Sequence, residues 1–172
     1  MAHLKPPVES SDHQTGNNNA QVTLVEYGDY QCSHCAHAYP LVKQLLEEKG
    51  DDFQFIFRNF PLRESHPLAE LAARAAEAAG EQHQFWEMHD KIYEHQRELR
   101  EDSFEQFARE LRLDLNQFSS DMKSDEIASK VERDFESGIR SGVNGTPSFF
   151  INGEKLNSYD GSYKSLKQAL SS

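Results

Sequence analysis

The chain lacks most of the features that identify binding proteins from sequence alone. Its 172 residues include two cysteines and one tryptophan. Two thiols rule out a disulfide-dense scaffold, and a length of this kind builds a core without covalent staples. No run approaches the roughly 20 apolar residues of a membrane span. Basic residues are scarce: 18 Lys and Arg stand against 29 Asp and Glu, for a formal net charge of −11. Nucleic acid and anionic membranes, which require clustered Lys and Arg, are excluded as partners on that ground. No internal repeat is visible. Met1 to Gln21 has no apolar h-region, only Pro6-Pro7, Ser10-Ser11 and Asn17-Asn18-Asn19. The expected location is cytoplasmic if Met1 is the native start, and periplasmic if a leader has been removed.

What is present divides into four stretches. Residues 1–20 are polar and rich in Pro, Asn and Ser, which predicts a flexible or surface-draped arm. Within residues 21–64, Val22 to Tyr27 reads as a strand covered on both faces. A helix is expected from about Cys32 to Glu48, with Tyr39, Val42, Leu45 and Leu46 at helical spacing and Pro40 inside it. Phe53, Phe55 and Phe57 then alternate with Gln54, Ile56 and Arg58, giving a second strand with one aromatic face. Strand, helix and strand make a βαβ unit. Residues 65–142 read as consecutive helices with narrow apolar stripes, one of them opened by a capping box of Ser103 and Gln106. Residues 143–172 return to strand at Ser148-Phe149-Phe150-Ile151. Asn152-Gly153 predicts a type I′ hairpin there, and a helix from Tyr163 to Leu170 closes the chain.

The two cysteines lie in Cys32-Ser33-His34-Cys35, at the junction of the first strand and its helix. A Cys-x-x-Cys pair beside a βαβ pattern reads as a redox dithiol. Cys32 is expected at the helix N-terminus, where free N–H groups and the helix dipole favour a thiolate. Cys35, one turn further in, is expected to be more buried and to resolve mixed disulfides. The dipole alone contributes about 0.3–1 kcal/mol, up to ~2 in good geometry. Lowering a thiol pKa by ~4 needs roughly 5 kcal/mol. His34 is the expected second contributor, since a protonated imidazole ~5 Å from the sulfur at an effective dielectric near 20 is worth about 3 kcal/mol. Glu26, in an otherwise apolar strand six residues before Cys32, is either a buried acid or a side chain turned to the surface or paired with Arg58.

Cys32-Ser33-His34-Cys35 resembles the active site of the DsbA family, whose usual form is Cys-Pro-His-Cys. Gly145-Thr146-Pro147-Ser148-Phe149 resembles the segment that carries a cis-proline facing the dithiol in thioredoxin-fold proteins. The resemblance covers roughly residues 20–170 and implies an α/β class, a thioredoxin fold with a helical insertion (DsbA-like). It implies thiol–disulfide exchange with thiol- or disulfide-containing client proteins and an unidentified redox partner. Its implied site is Cys32, Cys35 and His34, with Thr146 and Pro147 binding the client and Glu26 relaying protons to Cys35. No organic cofactor and no metal is implied, and a monomer is expected. Ser33 departs from the family pattern and loosens the turn.

Two other classes remain open at this stage. Cys32 and Cys35 with His34 and His37 could form a metal-handling module, although a structural zinc site usually needs four ligands and no second Cys pair exists. Covalent c-type haem is excluded because Ala36 stands where a His is required. A non-catalytic peptide-binding domain is the other alternative. His66, His83, His89 and His95 are read as surface or packing residues. Oxidase, reductase and isomerase directions are not separated, with isomerase ranked lowest.

Overall fold

The computed structural model describes residues 2–171. Its centre is a five-stranded sheet in the order β1-β3-β2-β4-β5, made of β1 (His13–Gly16), β2 (Val22–Gly28), β3 (Phe53–Asn59), β4 (Ser148–Ile151) and β5 (Glu154–Lys155). β2 and β3 pair in parallel across α1 (Ser33–Lys49), as the βαβ reading predicts. β4 runs antiparallel to β2, and β5 returns along β4 through Asn152 and Gly153. Both turn residues have positive φ, +48° and +86°, which is what a two-residue type I′ hairpin demands. α7 (Tyr163–Ala169) follows, its first turn capped by Ser162 Oγ accepting from the Ser165 N–H.

Between β3 and β4 lie α2 (Ala69–Gly80), α3 (Phe85–Glu94), α4 (Ser103–Glu110), α5 (Leu115–Met122) and α6 (Asp125–Arg140). The period-two alternation of the strands divides the interior into two clusters. Leu24, Phe53, Phe55, Phe57 and Phe149 join the α1 and α2–α5 side chains on one face. Val25, Tyr27, Ile56, Phe60 and Phe150 pack on the other with Leu4 and Val143. The helix expected to open on a capping box begins differently: Ser103 Oγ accepts from the Arg100 N–H, while the Gln106 amide reaches forward to Glu110. Each side chain has found a local partner, so the reciprocal box does not form.

The N-terminal stretch corrects the expectation of a flexible or surface-draped arm. His13–Gly16 pairs antiparallel with β3 as the edge strand β1, and Leu4 is buried. The tether is polar. Asp12 forms a bidentate pair with Arg58 at 2.8 Å from each of Nε and Nη2, and both side chains are almost fully buried. Arg58 also donates to the carbonyls of Pro6 and Pro7 and to Tyr27 Oη. His13 stacks on Phe85 at 3.7 Å and bonds Glu77. A composition rich in polar residues hides this arrangement, because its stabilisation comes from paired charges and strand pairing rather than apolar area.

Removing one partner of a buried ion pair strands the other charge. Asp12→Ala is expected to lower stability by about 3–5 kcal/mol, measured as a fall in the urea midpoint at unchanged slope.

Candidate active site

α1 starts where β2 ends, and this junction places the dithiol. Cys32 is the residue preceding the first turn of α1, with φ −72° and ψ 124°, and no side chain caps that turn. Its carbonyl accepts from the Cys35 and Ala36 N–H groups, each at 3.1 Å, while the N–H groups of His34 and Cys35 serve its sulfur. Cys32 is 7% exposed and Cys35 fully buried; both are free thiols. Facing them is the segment before β4, where the Thr146–Pro147 peptide bond is cis. The Cys32 thiol donates to the Thr146 carbonyl at 3.5 Å. The buried Thr146 hydroxyl has no hydrogen-bond partner among the described residues, and an ionised Cys32 supplies one.

These groups separate the two thiols. The Cys32 pKa is lowered to about 5, first by the hydrogen bond from Cys35, then against the penalty of burial by Thr146 and by the backbone N–H groups of Cys35 and His34. Cys35 is pushed well above the ordinary thiol range by burial, by its bond to Cys32 and by the charges of Glu26 and Cys32, with the Asp29 N–H at 3.5 Å opposing. The His34 imidazole is exposed, where solvent screens a charge–charge attraction. What His34 brings to the sulfur is its main-chain N–H. His37, also exposed, bonds the Gly161 carbonyl.

Glu26 is 3% exposed, and burial followed by the charge of Cys32 raises its pKa to about 8. It does not meet Arg58. The register sets Glu26 opposite Phe57, one residue before Arg58, so the two side chains leave opposite faces of the sheet. Gly28 makes room: a Cβ there would lie 2.9 Å from Glu26 Oε2 and 2.5 Å from the Phe57 ring. Glu26 lines a cavity of about 60 Å³ with Tyr39, Trp86, His89, Asp90 and Tyr93 among its neighbours. That is room for water, and the Tyr93 hydroxyl is buried without a partner among the described residues. Among these residues no group of three or more His, Cys, Asp or Glu gathers as a metal site.

Several residues at the site were not singled out from the sequence. Asp29 accepts from the N–H groups of Gln31 and Leu62 and bonds His66 at 2.7 Å. The His89 ring meets Tyr30 Oη at 2.8 Å. Gln96 donates to two carbonyls of the active-site loop. A carboxylate four residues before the helix was the one local signal available; the others come from positions far along the chain.

A thioredoxin family profile matches residues 9–171. The chain belongs to the thioredoxin family. Its fold, with the helical insertion, is that of the DsbA-like branch. A thioredoxin-like oxidoreductase from Silicibacter pomeroyi superposes with a TM-score of 0.81 at 26% identity, over 95% of this chain and 92% of that one. BdbD from Bacillus subtilis gives 0.83 at 22% identity, over 99% and 96%. The thiol-disulfide exchange protein alpha-DsbA2 from Wolbachia pipientis gives 0.81 at 23%, over 95% and 87%. Two curated relatives are sodium/proton antiporters named NhaA, from Salinispora arenicola and Herminiimonas arsenicoxydans. They are 42% and 41% identical over 93% and 91% of this chain. This chain spans about a quarter of their length (24% and 25%), and none of its described helices is long and apolar enough to cross a membrane.

Two pH dependences follow. In the reduced protein, iodoacetamide should modify Cys32 and spare Cys35, with the rate half-maximal near pH 5. Glu26 has the opposite sign. Its folded pKa, about 8, lies above its ordinary 4.5. The stability this group allows is therefore complete below about pH 4.5 and is lost as pH rises toward 8. Glu26→Gln should remove that slope and stabilise the reduced protein by about 3 kcal/mol at pH 7, read by denaturation across pH.

Proposed function

We propose that this chain is a thiol–disulfide oxidoreductase that exchanges disulfides with client proteins through Cys32 and Cys35. The observation that carries the reading is the split between the two thiols: Cys32 lowered to about 5, and Cys35 beside it pushed the other way. A stabilised thiolate in the reduced form makes the disulfide a stronger oxidant, so disulfide donation is the favoured direction. The oxidoreductase and exchange proteins it resembles in fold support the same class of chemistry. Ion transport is not carried over from the antiporter relatives, which share with this chain about a quarter of their length.

In the donating direction a client thiolate attacks Cys32 Sγ of the Cys32–Cys35 disulfide. The S–S bond breaks, and its electron pair leaves on Cys35, which takes up a proton. A second client thiolate then attacks the client sulfur of the mixed disulfide. Cys32 leaves as a thiolate into its waiting donors; the client has been oxidised by two electrons and the dithiol reduced. Glu26, neutral at physiological pH and buried beneath the pair, is suited to supply the proton to Cys35 and to take it back when the dithiol is reoxidised. Thr146 and Pro147 form the wall against which an extended client segment lies, opposite Cys32.

The reading is tested by replacing each thiol. Cys32→Ala should reduce insulin reduction and model-peptide thiol oxidation to background. Cys35→Ala, whose Cys32 thiolate can still attack a client disulfide but has no neighbouring thiol to release it, should accumulate a mixed disulfide with reducible insulin, visible on non-reducing gels. Parental turnover by Cys32→Ala would show the reading to be wrong.

A further inference from the structure

Gln96 lies in the insertion, in a short 3₁₀ turn (Gln96–Glu98) after α3. Its side chain reaches the active-site loop, where Nε2 donates to the Tyr30 carbonyl and to the Cys32 carbonyl, each at 2.8 Å. A primary amide nitrogen carries two hydrogens. One side chain thus satisfies two acceptors two residues apart and fixes the bend between them. The neighbouring loop residues are held from the same side. Asp29 binds the Leu62 N–H and His66, Tyr30 Oη meets His89, and Gln31 accepts from the Leu68 N–H. None of those side-chain bonds touches Cys32. Among the described residues, Gln96 is the side chain that grips the main chain of the nucleophile.

The grip matters because of how Cys32 enters α1. Its backbone is extended, and no side chain caps the turn. The ψ angle of Cys32 decides whether its sulfur faces the His34 and Cys35 N–H groups, and the carbonyl that Gln96 holds lies on that rotating bond. We propose that Gln96 is a positioning residue for Cys32, holding the nucleophile's carbonyl so that its sulfur stays against its donors and the helical insertion takes part in setting the thiolate. The inference deepens the thiol–disulfide reading above and rests on it. Without the amide, the Tyr30 carbonyl loses its side-chain donor and the Cys32 carbonyl keeps only the Cys35 and Ala36 N–H groups, so the loop between them is freed to turn toward water, carrying Sγ away from its donors.

The test is a titration of the Cys32 thiolate by its ultraviolet absorbance, in the full-length reduced protein and in Gln96→Met, which keeps side-chain length and removes both donors. The midpoint should rise by about 0.5 or more, roughly a threefold fall in the thiolate-to-thiol ratio at a given pH. The equilibrium constant for oxidising glutathione should fall by about the same factor. Gln82 supplies the control, since it makes a similar bridge to the Asp114 backbone elsewhere in the insertion. Gln82→Met should lower the melting temperature and leave the thiol where it was. A parental midpoint in folded Gln96→Met overturns the proposal, as does an equal displacement in Gln82→Met. Should Gln96→Met fail to fold, Gln96→Asn, which withdraws the amide by one methylene, is read by the same two outcomes. The titration needs no turnover: a parent protein with a low Cys32 midpoint that exchanges no disulfides defeats the functional reading, and the Gln96 comparison still stands or falls by itself.

Discussion

A thiolate held in a mostly buried position needs several donors at once, and the site is built around satisfying that need at Cys32. One helix terminus supplies about 0.3–1 kcal/mol, far less than the roughly 5 kcal/mol that a four-unit lowering represents. Hydrogen bonds to a charged acceptor are worth about 1.5–3 kcal/mol each, so a few of them close the gap where a dipole cannot. The sulfur has such bonds from the Cys35 thiol, from Thr146 and from two main-chain N–H groups. Their sources are α1 and the segment before β4. The thiolate therefore depends on the sheet order that brings β4 alongside β2, and on a loop that does not drift.

The same sheet helps to keep Glu26 neutral by keeping the Arg58 guanidinium from it. Arg58 is one strand away, yet the register turns it to the opposite face, where Asp12 and two proline carbonyls occupy it. A slip of one residue would bring a guanidinium to Glu26 and ionise the carboxyl near neutrality. The arm that supplies Asp12 thus bears on the protonation of Glu26 although it lies away from the dithiol. By satisfying Arg58 elsewhere, it leaves burial and the charge of Cys32 to decide the protonation of Glu26.

Much of the fold was legible because its signals are local. The alternation of Phe53, Phe55 and Phe57, the Asn152-Gly153 turn and the Cys32–Cys35 spacing each state their structure within a few residues. β1 was not legible. His13-Gln14-Thr15-Gly16 has no apolar alternation, and it becomes a strand because β3 offers an edge and Arg58 and Glu77 offer partners. The identity of Cys32 as the exposed-end thiol could be read from spacing, but the group that His34 contributes could not. Spacing places a residue beside a sulfur without saying which way its side chain turns. Gln96, His66 and Asp29 illustrate a harder limit: a carbonyl 64 residues away from its donor leaves no mark in the local pattern.

Ser33 gives the insertion its significance. A proline inside the dithiol would fix one φ and remove one donor, stiffening the turn from within. Ser33 imposes no such constraint, so this turn must be held from outside or accept a wider spread of sulfur positions. The structure holds it from outside. Four consecutive residues, Asp29 to Cys32, are each bonded by side chain or carbonyl to the stretch from Leu62 to Gln96. Rigidity that a proline would supply through one ring is distributed over contacts with the insertion and the loop that leads into it. Such an arrangement can be adjusted, because anything that moves the turn after α3 also moves the carbonyl of the nucleophile. A proline offers no comparable handle. In this chain the helices beside the dithiol are part of the device that sets it.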